Sequence, residues 1–251
     1  MLLSPLCVSP FGIASGSTVF TINNSFLLDG VNESFSVTPF ASMDSQTNGS
    51  ISVVFKSADF SSAASRCVFS YNDGTNYVAI RFYSNTFSIF VRTGGANQWV
   101  LVGTGTPIAN NTWYHLVIVQ NGTNPVVYLN GATITQSFTL STNKTKWFND
   151  ITGTEMNIGK NLATGSTWEF EGYIQQVAYI SQVLTLSDCA NLYNGGKPKS
   201  PQTLFGANCK FFFNADKSGD VAQFTVFDSV NSINATSVNM EDSDKTSVTP
   251  Y

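Results

Sequence analysis

Short β-rich runs separated by turn residues recur along most of this sequence, and this pattern limits the possible folds more than any other feature. The runs include TVFTINNSFLL, ISVVFK, YVAIRFY, TFSIFVR and WYHLVIVQ. Pairs such as Asp73-Gly74 lie between neighbouring runs and favour tight reversals between antiparallel strands. One helix is expected, over DCANLYN, with Ser187 as its N-cap and Gly195-Gly196 at its end. We therefore predict an all-β, antiparallel two-sheet sandwich with one short helix.

The charge content of the chain is low and argues against two classes of partner. Only 11% of the 251 residues are charged, against about 25% in an average soluble domain, and the net charge is −4. Apart from Lys197-Pro198-Lys199 the basic residues are scattered, so no basic stripe could follow a phosphate backbone. No stretch approaches the roughly 20 apolar residues of a membrane-spanning helix. We expect neither nucleic acid binding nor membrane insertion.

The only histidine, His115, lies in the run NTWYHLVIVQ, where it could be either a catalytic base or a wall residue. With a period of two, Trp113, His115 and Val117 share one face of a strand, whereas Tyr114 and Leu116 share the other. General base catalysis needs a positioned partner, and no serine or cysteine motif lies nearby. We predict a packed or hydrogen-bonded His115 and no catalytic residue. If the Trp113 ring is core, its replacement by alanine should cost about 3 to 5 kcal/mol.

The four cysteines are even in number but widely spaced, at Cys7, Cys67, Cys189 and Cys209. They form no C-x-x-C pair of the kind used in zinc or redox sites. Two of them lie in apolar runs that suit a small buried thiol. We predict free cysteines in the core.

Several segments in a fixed order carry a resemblance to a known family. SFLLDGVNESFSV contains a strand, an Asp-Gly turn and a strand, and GSISVVFKSADF follows as a core strand. NNTWYHLVIVQNGTNPVVYLNG contains a Trp-x-His strand and a Tyr-x-Asn-Gly hairpin, MNIGK an Ile-Gly strand, and FEGYIQQVAYISQVLTLSDCANLYNGG a Gly-x-Ile strand and a helix. Over residues 18–196 the chain resembles the concanavalin A-like, laminin G-like sandwiches, which include pentraxin-like modules and domains of phage and viral structural proteins. The resemblance implies a jelly-roll fold and makes His115 a scaffold position.

The resemblance divides the chain into three parts: an extended N-terminal arm at residues 1–17, the sandwich at 18–197, and a C-terminal extension at 198–251. The arm lacks a basic n-region, and prolines interrupt its apolar run, so we interpret it as an arm rather than a signal peptide. The extension resembles a unit that commonly precedes the sandwich, and it is expected to add strands to the sandwich or to a neighbouring copy. Apolar residues of both ends are candidate assembly contacts. They are Leu2, Leu3, Leu6, Phe11, Phe211 and Phe213.

The chain departs from the family where a calcium ion would need ligands. Gln175 and Gln176 stand where the family usually has Asp-Glu after Gly-x-Ile, and calcium is bound by carboxylate and carbonyl oxygens. We predict no cofactor. Calcium stays open but has no support in the sequence.

A glycan-binding site would need rings that can stack on the face of a sugar, and tryptophans in loops are the best suited. Core packing is the competing interpretation for each tryptophan. The candidate site consists of Trp99, Trp147, Asn149, Asp150, Trp168 and Glu169.

Glucanases share this architecture, so glycoside hydrolysis has to be weighed. Glu169 and Glu171 would point the same way on a strand beside Trp168, and paired carboxylates perform this chemistry. The glucanase pattern carries a further Asp on the same strand face, whereas Gly172 and Tyr173 follow here. We predict a solvated strand edge and no enzyme, with a glycoside hydrolase as a remote alternative.

Two functional classes remain. The first is a non-enzymatic structural or attachment protein of a virus particle, such as a phage capsid decoration, fibre or tail component, displaying a glycan-binding sandwich on the virion surface. Its partners would be further copies of itself, other virion proteins and a cell-surface glycan. The second is a secreted carbohydrate-binding or adhesion domain, for which the Asn-x-Ser/Thr sequons argue.

Overall fold

β-Strands account for most of the regular structure. The computed structural model describes residues 20, 22–37, 41–61, 63–105, 108–161, 168–217, 225–227 and 233–250. The strands are β1 (Ser25–Asp29), β2 (Ser34–Val37), β3 (Gly49–Lys56), β4 (Arg66–Asn72), β5 (Tyr77–Tyr83), β6 (Thr86–Thr93), β7 (Ala96–Gly103), β8 (Tyr114–Gln120), β9 (Val126–Leu129), β10 (Ala132–Thr133), β11 (Gln136–Ser141), β12 (Glu155–Ile158), β13 (Lys160–Asn161), β14 (Trp168–Glu169), β15 (Glu171–Ile180), β16 (Cys209–Asn214), β17 (Thr225–Phe227), β18 (Asn234–Val238) and β19 (Lys245–Thr246). The helices are α1 (Ala41–Asp44), α2 (Leu186–Tyr193) and α3 (Pro201–Phe205).

The strands form two large antiparallel sheets. The eight-stranded sheet has the order β10-β9-β8-β3-β15-β1-β19, with β16 also paired to β15. The nine-stranded sheet has the order β11-β7-β6-β5-β4-β12-β2-β18-β17, and β13 and β14 form a separate hairpin. This architecture confirms the predicted two-sheet jelly roll.

The core lies between the two sheets because apolar residues alternate along the strands. On β8, Tyr114, Leu116 and Ile118 enter the main core cluster, which also contains Phe69, Ile80 and other residues of the opposite sheet. Val117 and Val119 point to the other face of the sheet, where they join a second cluster. The two faces of this strand are therefore divided as the sequence predicted.

The second cluster lies under the helices, whose boundaries differ in part from the prediction. Helix α2 places Cys189 and Leu192 against the outer face of the eight-stranded sheet. Its N-cap is Thr185, not Ser187: the Thr185 side chain accepts a hydrogen bond from the Asp188 backbone N–H. The Asp188 carboxylate accepts one from the Thr185 N–H in return, so the capping box decides where the helix begins. Helices α1 and α3 were not expected from the sequence.

The C-terminal extension packs on the sandwich of its own chain. Strand β16 pairs with the second half of β15, where Val177 opposes Phe213 and Tyr179 opposes Phe211. Phe211 and Phe213 are each 1% exposed and belong to the main core. The expectation that these two rings serve as assembly contacts is wrong, because the rings fill the core of their own molecule. The other assembly candidates, Leu2, Leu3, Leu6 and Phe11, lie outside the described residues.

Three of the four cysteines lie among the described residues. Cys67, Cys189 and Cys209 are buried and form no disulfide with one another. Burial raises the pKa of the Cys67 and Cys189 thiols to about 12, so both are inert at neutral pH. Cys7 lies outside the described residues.

No helix in the described ranges has the length and apolar character needed to cross a bilayer.

Candidate functional site

The outer face of the nine-stranded sheet carries the β13–β14 hairpin on part of its area. The hairpin packs on β4, where the Ser70 hydroxyl donates to the Lys160 carbonyl at 2.7 Å. On the neighbouring strands β5 and β6, Arg81 is opposite Ser88 and Tyr83 is opposite Thr86. Residues directly opposed in an antiparallel pair share one face. Arg81 and Tyr83 therefore lie on this face at the border of the hairpin, where Tyr83 is 40% exposed and Ser88 is buried.

Arg81 lies among three aromatic rings at this border. Its guanidinium carbon is 4.6 Å from the centroid of Phe90, 5.3 Å from that of Trp168 and 5.4 Å from that of Tyr83. Distances within about 6 Å are those of cation–π contacts. Burial lowers the pKa of Arg81 from its ordinary value, and the guanidinium stays charged at neutral pH.

Trp168 supplies the wall of this site. The indole is partly exposed and packs against Phe90, with ring centroids 5.7 Å apart, and against Tyr77 at 6.1 Å. Tyr83 is 40% exposed. We call the surface formed by Arg81, Tyr83, Phe90 and Trp168 the aromatic platform. It offers ring faces and one cation, which suits a ligand with both apolar and polar sides.

Two of the predicted tryptophans cannot contact a ligand. Trp99 and Trp147 are both 0% exposed, and their rings stack at 6.1 Å with an interplanar angle of 10°. The Trp99 indole N–H donates to the Lys146 carbonyl at 2.9 Å. Trp99 is part of β7, and Trp147 precedes a short helical turn that turns its ring inward. The expectation of exposed loop rings at these positions is wrong, because both rings pack in the core.

The predicted neighbours Asn149 and Asp150 lie elsewhere, at one end of the sandwich. They line an open cleft of about 430 Å³ together with Thr47, Gly122, Thr145 and Lys146. The Lys146 ammonium and the Asp150 carboxylate form an ion pair at 2.5 Å, and this carboxylate also accepts from the Trp147 N–H. No aromatic residue lines this cleft among the described residues. The structure therefore divides the predicted glycan site in two, with Trp168 and Glu169 in one place and Asn149 and Asp150 in another.

His115 is part of the wall, as predicted. It is 2% exposed, its Nε2 atom is hydrogen-bonded to the Ser52 hydroxyl at 2.8 Å, and its ring stacks on Tyr193. Burial lowers the pKa of His115 to about 3, so the imidazole is neutral at pH 7. Trp113 precedes β8 and is partly exposed, with Lys56 and Tyr173 beside its ring. The expectation of a core Trp113 is therefore wrong.

The two predicted carboxylates of the hydrolase alternative are not equivalent. Glu169 pairs with Lys160 in the hairpin, whereas Glu171 opposes Asp29 in the eight-stranded sheet, and the buried Phe170 separates them. Glu171 forms an ion pair with Arg66. Burial raises the pKa of Glu169. Across the ranges that the structure covers, no group of three or more His, Cys, Asp or Glu side chains is placed to hold a metal ion.

Arg81 was absent from the sequence-based site, although a signal for it was present. The run YVAIRFY alternates with period two, which places Tyr77, Arg81 and Tyr83 on one face. A charged residue between two tyrosines on a strand face marks that face as exposed or functional. Its proximity to Trp168 could not be foreseen, because the two residues are distant in sequence.

Comparisons with solved structures find the same fold in several proteins. A candidate carbohydrate binding protein from Bacteroides ovatus aligns with a TM-score of 0.60 and 16% identity, over 89% of this chain and 61% of that chain. The CBM40 of the Ruminococcus gnavus IT-sialidase, in a structure with α2,3-sialyllactose, aligns with a TM-score of 0.53 and 15% identity, over 66% of this chain and 94% of that one. The heptameric SAP-like pentraxin of Limulus polyphemus aligns with a TM-score of 0.51 and 14% identity, over 73% and 88%.

The family itself follows from the sequence match. The comparison with curated proteins finds no match to this chain. The family model described as the concanavalin A-like lectin/glucanases superfamily matches residues 29–190, which is most of the sandwich. The chain therefore belongs to the concanavalin A-like lectin/glucanase superfamily.

Proposed function

We propose that this protein is a non-enzymatic glycan-binding module and that the aromatic platform holds the sugar. The observation that carries the proposal is the partly exposed Trp168 ring beside the Arg81 guanidinium on the outer face of the nine-stranded sheet. Sugars present apolar C–H faces and polar edges, and an aromatic ring beside hydrogen-bonding groups complements both. The solved structures in the carbohydrate-binding class support the same conclusion.

The platform has the parts that this binding mode requires. Trp168 and Phe90 are held by packing against each other, so little side-chain freedom is lost when a ligand binds. Tyr83 extends the ring surface towards the solvent. The Arg81 guanidinium beside the rings supplies the hydrogen-bond donors. A sugar ring stacked on Trp168 would have its polar groups within the reach of this guanidinium.

The test compares two tryptophans that differ only in their place on the sandwich. Trp168→Ala and Trp113→Ala each remove one partly exposed indole, the first from the platform and the second from the outer face of the eight-stranded sheet. On a glycan array, Trp168→Ala should lose the binding of the parent protein, and Trp113→Ala should keep it. Equal binding by both variants and the parent would contradict the platform as the site. An Asn149→Ala variant then tests the cleft at the end of the sandwich.

The absence of catalysis is part of the proposal. Glu171 is engaged with Arg66, and Glu169 lies in a different sheet, which argues against a paired acid and nucleophile. Calcium is not needed for a site built from rings and an arginine. Incubation with oligosaccharides that the protein binds should release no reducing ends, and release that disappears in Glu169→Gln would contradict this part.

We place the module on the surface of a virus particle, as a structural or attachment component. The resemblance to phage and viral appendage domains and the low charge content support this setting, and so do the buried free cysteines, which suit assembly in a reducing cytosol. Residues 1–17 would anchor the module to other copies or to other virion proteins. Deletion of residues 2–17 should abolish incorporation into particles. Incorporation at the parental level would contradict the anchoring role, and a processed or glycosylated chain would favour a secreted adhesion domain.

A further inference from the structure

The three arginines of the chain have different environments. Arg66 is paired with the Glu171 carboxylate and also donates to the Gly30 carbonyl. Arg92 donates through Nε to the Thr75 carbonyl at 3.0 Å. Arg81 has no hydrogen bond or ion pair with any residue in the described part of the chain, and its Nε atom is buried without a partner. Among the described residues, Arg81 is thus the one arginine of the three whose guanidinium has no hydrogen-bond acceptor.

The rings around Arg81 do not replace such an acceptor. Phe90, Trp168 and Tyr83 lie within 4.6 to 5.4 Å of the guanidinium carbon and attract the positive charge through their π-faces. A guanidinium also carries N–H groups in a fixed planar fork that matches a carboxylate. The titratable groups that act on Arg81 are Tyr77, Tyr83 and Cys67, and none of them is a carboxylate. A partly desolvated cation that has no carboxylate partner among the described residues is poised for an anionic ligand.

We infer that the ligand of the aromatic platform is an acidic sugar whose carboxylate binds the fork of Arg81 while its ring packs on Trp168. This inference rests on the proposed function and makes it narrower. A neutral sugar would gain the ring contact alone, whereas a sugar acid also gains a charge-assisted, bidentate hydrogen bond in a site already shielded by rings.

Arg92 provides a matched control. It projects from the same face as Arg81, opposite Tyr77, about 13 Å away along the strands at about 3.3 Å per residue. Arg81→Gln and Arg92→Gln change the net charge equally. If a diffuse positive field attracted the ligand, both variants would lose affinity alike. If the fork of Arg81 binds the carboxylate, only Arg81→Gln loses it. Arg81→Lys keeps the charge and removes the fork, so it should also bind weakly.

The experiment measures the affinity of parent and variant proteins for matched oligosaccharide pairs. Each pair consists of an oligosaccharide ending in a sialic or uronic acid and the same oligosaccharide with its carboxyl group reduced to an alcohol. We expect the parent to prefer the acid form at least tenfold, Arg81→Gln and Arg81→Lys to lose that preference, and Arg92→Gln to retain it. An oligosaccharide whose only charged group is a sulfate ester tests whether an oxyanion other than a carboxylate also binds. Thermal unfolding of each variant verifies the fold.

The outcomes separate this inference from the proposed function. Equal binding of acid and reduced forms, with Trp168→Ala losing both, would overturn the acidic ligand and leave glycan binding intact. Loss of the preference in Arg92→Gln as well would overturn the role of the Arg81 fork, and so would binding of the sulfated sugar in place of the acid form. Binding of no glycan of either form by the parent would overturn both proposals.

Discussion

At the scale of single residues, the position of each tryptophan decides what it can do. Trp99 and Trp147 stack on each other inside the core, Trp113 lies at the margin beside Lys56, and Trp168 is partly exposed beside Arg81. Composition and local sequence do not separate these cases, because all four follow or precede polar residues. The packing of each ring against strands that are distant in sequence decides whether the tryptophan is buried or exposed.

Replacement of the tryptophans should therefore have graded effects on stability. Trp147→Ala leaves a large cavity and should lower the free energy of unfolding by about 3 to 5 kcal/mol. Trp113→Ala removes a partly exposed ring and should cost only about 1 to 2 kcal/mol. Denaturant unfolding of both variants measures the difference. Equal losses would contradict the assigned burial.

His115 should make stability depend on pH. Its pKa is about 3 in the folded state and about 6.5 when unfolded, so the unfolded chain binds the proton first as the pH falls. This contribution to stability is complete above pH 6.5 and should fall by about 2 kcal/mol between pH 8 and pH 5. Glu33 acts in the opposite sense, because burial raises its pKa to about 7.

The effect of His115 on the pH dependence of stability can be separated from that of Glu33 by comparing the parent with a variant. The parent and a His115→Gln variant both contain Glu33, so the difference between their unfolding free energies isolates the histidine. We expect this difference to shrink towards acid pH, with the parent losing more stability than the variant. A difference that stays constant from pH 8 to pH 5 would contradict the buried neutral imidazole.

At the scale of elements, β15 organises the sandwich because it pairs with three other strands. Its first half pairs with β1 and its second half with β16, and β3 runs along its other side. The glycine of the Gly-x-Ile motif, Gly172, has φ +139, and a Cβ there would lie 2.2 Å from the Lys56 carbonyl oxygen. The motif is thus explained by the close approach of two backbones.

Gly172→Ala should destabilise the protein strongly. The new methyl group meets the backbone of β3, which is fixed in the sheet and cannot move aside. Gly74→Ala is a suitable control, since Gly74 also has positive φ but no atom near the added methyl group. Thermal unfolding should show a much larger loss for Gly172→Ala. Equal losses of thermal stability in the two variants would contradict the steric contact and would indicate that the positive φ alone disfavours alanine.

Strand β16 gives a prediction about assembly. Phe213 packs against Phe26 and Phe35 inside the core. Phe213→Ala should therefore cost about 3 to 5 kcal/mol in stability without changing the native mass of the folded protein. A change in native mass with unchanged stability would instead support exchange of this strand between copies.

Local patterns in the sequence predicted the fold well but the site only in part. Alternation in WYHLVIVQ gave the two faces of β8 and the role of His115, because successive side chains of a strand point to opposite faces of the sheet. The N-cap of α2 was wrong because Thr185 and Ser187 are both plausible caps and only Asp188 selects the first. The Arg81–Trp168 contact depends on where the β13–β14 hairpin crosses the sheet, which no local pattern specifies.

At the scale of the whole molecule, the outer faces of the two sheets differ. Helices α2 and α3 pack on the outer face of the eight-stranded sheet. The nine-stranded sheet carries the β13–β14 hairpin and the aromatic platform on its outer face. This difference explains why ligand binding is proposed on the second face.

Removal of metal ions should leave glycan binding unchanged. The platform consists of aromatic rings and a guanidinium, and no metal ion is needed to position them. Glycan affinity in the presence of EDTA, compared with affinity in millimolar calcium, measures this. A loss of affinity of tenfold or more in EDTA would contradict a metal-independent site.

The most direct test of the account is a crystal structure of the protein with an acidic oligosaccharide to which it binds in solution. We expect the sugar on the outer face of the nine-stranded sheet, its ring against Trp168 and its carboxylate at the guanidinium of Arg81. A sugar seated instead in the cleft of Asn149 and Asp150, or on the outer face of the eight-stranded sheet, would contradict the assignment of the site.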